Sequence, residues 1–136
     1  MTPIKYVAFL LFFGFGVHTA QSQTYKFKTS GLSVLQKKQT GKWGEWSNLD
    51  LVNLLVTLDT NKNRIVVYSQ VIQLFEIITY LPTEENDSDI VYSFTCKDNN
   101  GIDCTLSIIT RKKQDNRKQL YINYGDRIIL YNIFNV

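Results

Sequence analysis

The chain has 136 residues, 44% of them hydrophobic, which is enough for one domain with its own core. Fifteen basic residues stand against 12 acidic ones, a formal net charge of +3. That balance argues against a nucleic-acid binder, which needs a concentrated basic surface.

Met1 to Lys5 carries one positive charge, Tyr6 to Val17 is an apolar run, and Thr19-Ala20-Gln21-Ser22 is small and polar. That order is the pattern of a secretory signal peptide. The apolar run is too short to span a bilayer, and no later segment is long and apolar enough. Cleavage after Ser22 fits the small-residue rule better than cleavage after Ala20, where His18 sits at the third position before the cut. The expected organisation is therefore a leader over residues 1–22 and one domain over residues 23–136, exported to the periplasm or outside the cell.

Removal of the leader takes away Lys5 and the only histidine, leaving 14 basic and 12 acidic residues and a net charge of +2. Without histidine, a Ser-His or Cys-His nucleophile cannot be assembled in one chain. Zinc would be left with two cysteines and carboxylates. The expectation is no metal, no cofactor and no enzyme.

From residue 23 onward, short β-favouring runs alternate with turn signals. Strands are expected near Tyr25–Leu35, Trp43–Trp46, Leu51–Leu58, Arg64–Ser69, Gln73–Tyr80, Ile90–Cys96, Ile102–Thr110, Gln119–Tyr124 and Ile128–Phe134. A helix over Ser47–Leu58, opened by Ser47-Asn48-Leu49-Asp50 as a capping box, is the one competing assignment. The pattern predicts an all-β, mostly antiparallel meander of seven to nine strands, closed as a small barrel or barrel-like sandwich. Leu54, Leu55, Val56 and Ile65 to Tyr68 place apolar side chains on both faces, so an outer cover or a second chain is expected there.

In chain order, Trp43 and Trp46 come first as candidate chemistry. Exposed, they would serve as sugar platforms or interface anchors; buried, they would plug a barrel end. Asp59, Asn61 and Asn63 mimic the start of a calcium loop, but Arg64 and Val71 occupy positions that need Gly and Glu, so a polar turn is the better reading. Glu76, mid-strand, is a candidate acid or ligand anchor if it points inward. Asn86-Asp87-Ser88 matches a glycosylation sequon. A three-residue turn, Asn99-Asn100-Gly101, with Gly left-handed, would oppose Cys96 to Cys104, Phe94 to Leu106 and Tyr92 to Ile108 on one face. A cross-strand disulfide Cys96–Cys104 follows from that register and from export. In a meander the turns at Asp59–Asn63, Pro82–Asp89 and Thr110–Lys118 share one end, which brings an acidic loop beside a basic one. Tyr124-Gly125-Asp126-Arg127 suits a two-residue hairpin.

Gly41-Lys42-Trp43 is similar to the G-x-W signature of lipocalins and related calycins. That resemblance implies a ligand-holding barrel in which Arg127 lies across Trp43. The chain as a whole resembles small exported β-proteins of Bacteroidetes-type bacteria, which implies an envelope location and no particular activity. The leading functional expectation is a non-enzymatic binding or structural module. Its partner would be a small apolar ligand, an envelope protein or a second copy. The alternative is a carboxylate-based glycan hydrolase using Glu76 or Asp103, with Trp43 and Trp46 as platforms.

Overall fold

The computed structural model describes residues 23–136; the expected leader and its cleavage site lie outside the described residues. Nine strands form in chain order: β1 (Thr24–Gln36), β2 (Leu55–Asp59), β3 (Arg64–Val67), β4 (Gln73–Tyr80), β5 (Glu84–Glu85), β6 (Asp89–Lys97), β7 (Asp103–Arg111), β8 (Arg117–Asn123) and β9 (Arg127–Asn135). Every pairing is antiparallel. Apart from β4 and β5, neighbours in sequence pair, β9 returns to β1, and β4 pairs with β6, which closes eight strands into a barrel with β5 as a short addition beside β6. Closure removes the edges that an open sheet leaves unpaired.

The alternation expected from the sequence sets the inside. Phe27, Val56, Leu58, Ile65, Val67, Phe75, Ile77, Phe94, Leu106, Ile108, Leu120, Ile122 and Ile133 point inward and are buried. Eight strands leave an interior that side chains can fill, and here they fill it. Tyr131 is also inside, and its hydroxyl accepts a hydrogen bond from Gln73 Nε2 at 3.3 Å, which gives the one phenol in the core a polar partner.

Two strand assignments and the competing helix need correction. Trp43–Trp46 is no regular strand; Trp43 makes a single bridge to Lys37. The strand expected from Leu51 begins only at Leu55, and the described residues contain no helix at Ser47–Leu58. Instead, residues 44–54 run back along β1 as an irregular, bulged extension. Gly44 N bonds Gln36 O (2.8 Å), Ser47 N bonds Val34 O (2.8 Å), and Asp50 and Leu32 exchange bonds at 2.8 and 2.9 Å. The register slips progressively, so alternation along this segment does not mark two faces. Thr29 repairs the break where β2 gives way to this extension: its Oγ1 donates to Val52 O (2.9 Å) and accepts from Leu54 N (2.8 Å). Leu49 lies against Gly31 on the outer wall, where an added Cβ would stand 2.8 Å from Leu49 Cδ1. Part of the outer apolar surface is thus covered by the chain itself.

The turns at 59–64, 80–89 and 111–117 share one end with both described chain ends, as the meander requires. This is called the terminal end below. The turns at 67–73, 97–103 and 123–127 share the opposite end.

Candidate functional site

The β6–β7 hairpin forms in the expected register, with Cys96 opposite Cys104, Phe94 opposite Leu106 and Tyr92 opposite Ile108. Gly101 takes φ +75°, as the turn demands. The disulfide is where expectation and structure part: Cys96 and Cys104 are two free, buried thiols. They line the apolar interior, where a thiol packs as a small hydrophobe. Burial, and for Cys96 the neighbouring Cys104, pushes the two thiols up to about 12 and about 11. They stay protonated at neutral pH and lack the thiolate character a redox centre needs.

Glu76 is on the outside of β4, exposed, opposite Arg64 on β3 and Lys97 on β6. Asp103 follows in the same row, paired with Lys97 at 2.7 Å. With Asp59 opposite Arg64, the outer wall of β2, β3, β4, β6 and β7 carries a belt of alternating sign: Asp59, Arg64, Glu76, Lys97, Asp103. Opposite charges directly across strands favour this register over a slipped one. Glu76 and Asp103 flank a lysine on a convex wall and face no common cleft.

Trp43 and Trp46 lie outside the barrel, 40% and 43% exposed. Neither plugs an end. Lys37 Nζ stands 5.1 Å from the Trp43 ring centre, whereas Arg127 lies 4.2 Å over Tyr124. The Arg127–Trp43 contact that the calycin resemblance implies is therefore replaced by two separate cation–π pairs. Trp46 meets Tyr121 edge-on at 6.4 Å. The shallow hollow nearest the tryptophans, lined by Gln36, Lys37, Lys38 and Glu45 among others, is open and polar. Trp43 and Trp46 are not brought together with Glu76, which stands on the far side of the ring.

Asp59 Oδ1 accepts from Asn61 N and Lys62 N at 3.0 Å, the work of a turn former. Among the described residues no group of three or more His, Cys, Asp or Glu could hold a metal. At the terminal end the acidic and basic loops do meet. Asp89 pairs with Arg111 at 3.2 Å, Glu85 pairs with Lys112, and Lys112 N bonds Ser88 O at 2.8 Å. Asn86 Oδ1 accepts from Ser88 N, Ser88 Oγ and Asp89 N, so the sequon is folded into its own turn.

Sequence reasoning missed a side-chain network on the outer wall of β7, β8 and β9. Arg111 donates to Gln119 Oε1 (3.1 Å) and to the Tyr121 hydroxyl (3.2 Å). Gln119 Nε2 donates onward to Asn132 Oδ1 (3.0 Å). Only the paired registers of three strands align these residues, so no local motif announces them. The chain matches no protein family model, no curated protein and no solved structure.

Proposed function

We propose that this chain is an exported, non-enzymatic binding or structural module that engages a protein partner of the cell envelope through the opposite end of its barrel. The supporting observation is the apolar rim formed by the turns there: Val71 is 80% exposed, Ile72 51% and Ile102 49%. Large apolar side chains gathered outside a folded domain mark interaction surfaces. A small apolar ligand has less support, because the core side chains occupy the space it would need. Glycan hydrolysis by paired carboxylates also has less, because Glu76 and Asp103 share no cleft.

Native mass spectrometry of the protein isolated from its host is the test. A stoichiometric protein partner is expected, lost in Val71→Asp and Ile72→Asp variants whose circular dichroism is unchanged. A retained apolar small molecule, or a partner insensitive to both substitutions, overturns the reading.

A further inference from the structure

The charges of the barrel are unevenly arranged. On β2, β3, β4, β6 and β7 they alternate in sign around the wall. On the remaining three strands, which are adjacent in the ring, they do not. β1 carries Lys26 and Lys28, β8 carries Arg117 and Lys118, β9 carries Arg127, and none of the three carries a carboxylate. Arg127 has Asp126 at 3.5 Å. Lys26, Lys28, Arg117 and Lys118 have no ion-pair partner among the described residues.

The registers bring these cations together. Lys28 is opposite Phe134, and Lys118 opposite Ile133, so Arg117, Phe134 and Lys28 form one row on consecutive strands. Two strand spacings set Arg117 and Lys28 roughly 10 Å apart, with the half-exposed Phe134 ring between them. A β-bulge between Thr29 and Gly31 interrupts the β1–β9 ladder beside this row and leaves Ser30 unpaired. Bulges of this kind re-aim side chains. The result is a hollow of about 380 Å³ lined by Ser30, Asp115, Asn116, Arg117, Asn132 and Phe134, among others, with Asp115 its one carboxylate.

The polar groups in the hollow are mainly donors. Asn132 Oδ1 is taken up by Gln119 Nε2 at 3.0 Å and approached by Arg117 at 3.5 Å. This fixes the amide so that its Nδ2 is an unused donor at the hollow. Gln114 holds the Arg117 guanidinium through Nε and one terminal nitrogen at 3.0 and 2.7 Å, leaving the other terminal nitrogen only its long contact to Asn132. The occupant that fits is an acceptor-rich anion with one apolar face, small enough for a single ring.

We infer that this hollow on β8, β9 and β1 binds an acidic sugar residue of an anionic polysaccharide, its carboxylate or sulfate on Arg117 and its ring face on Phe134, with Lys28 beyond that ring. Fixed Arg–carboxylate hydrogen bonds are among the stronger polar contacts. A lone aromatic and three cations suit one or two sugar units; a nucleic-acid strand would call for several stacking rings. The site is separate from the apolar rim and stands or falls independently of it.

The test is an NMR titration of the protein with a short uronic-acid oligosaccharide, its neutral counterpart, and oligo-dT. The uronate should shift amides at residues 28–30, 116–118 and 132–135. Binding should weaken about tenfold between 50 and 200 mM salt, as for an anion held by about two cations. The double substitution Lys28→Gln with Arg117→Gln should weaken it tenfold or more, and Lys97→Gln, on the alternating belt, should leave it unchanged. Absence of shifts at the hollow, equal binding of the neutral sugar, tighter binding of oligo-dT, or equal loss in Lys97→Gln would each overturn the inference.

Discussion

Asp98 ties two turns of the opposite end together. Its Oδ1 accepts from Asn100 N (2.9 Å) and Ile102 N (3.0 Å), and its Oδ2 accepts from the Tyr124 hydroxyl (2.8 Å). Burial pushes the carboxyl up, but the Ile102 N–H, the Tyr124 hydroxyl and the Asn100 N–H outweigh it and hold the group below the usual carboxylate value. The two thiols move the other way, raised chiefly by burial, and Tyr80 is raised to about 12 by burial and by Asp59. A lowered acid stabilises the fold above its unfolded pKa, and that contribution is lost as pH falls through about 4 and below. A raised thiol stabilises the fold below its unfolded pKa, and that contribution is lost as pH rises beyond about 8.5. Melting temperature should therefore be level between those limits and decline on both sides. Asp98→Asn should flatten the acid limb, and Cys96→Ala with Cys104→Ala the alkaline limb. Limbs that keep their slopes in those variants would show that other groups govern them.

At the scale of elements, the seam between β4 and β6 extends one side chain beyond its backbone ladder. Glu76 pairs with Lys97, and the next step of that register falls on Leu74 and Asn99. There the Asn99 side chain stands in for a peptide: Oδ1 accepts from Leu74 N at 2.7 Å, and Nδ2 donates to Ile72 O at 3.2 Å. Asn99→Ala should cost about 1 kcal/mol, the net worth of such bonds at an exposed site. It should also speed hydrogen exchange at Leu74 while leaving the β7–β8 amides protected, and an unchanged Leu74 rate would count against this role. The hairpin that carries Asn99 was legible in the sequence down to its register, because a turn with a left-handed Gly and two alternating strands constrain one another. The bounds of β4 were legible too. The course of residues 44–54 was not, because it pairs with the bulged half of β1 in a register that slips from one contact to the next. The outward direction of Glu76 was not legible either, because both faces of β4 mix polar and apolar residues and only the neighbours Arg64 and Lys97 reveal which is wet. The expected disulfide came from correct register joined to an assumed compartment, and the register alone is what the structure shares with it.

For the whole molecule, ring order separates two kinds of surface. Around β2, β3, β4, β6 and β7 opposite charges alternate, whereas β8, β9 and β1 present cations, Phe134 and free amide donors. That contrast is invisible in a net charge of +3. It emerges only when strands distant in sequence become neighbours. The most distant such pair is β1 with β9, matched over nine residue pairs from Phe27 with Asn135 to Gln36 with Arg127. A chain stopped after Asn123 should accordingly show no cooperative melt by circular dichroism, and a sharp transition in that fragment would mean that seven strands suffice. Long-range pairing of this kind is slow to form, because loop closure must come before any contact rewards it. The first strand to leave the ribosome waits for the last before it gains its second neighbour. A growing chain of this topology thus stays open and threadable until β9 has been made.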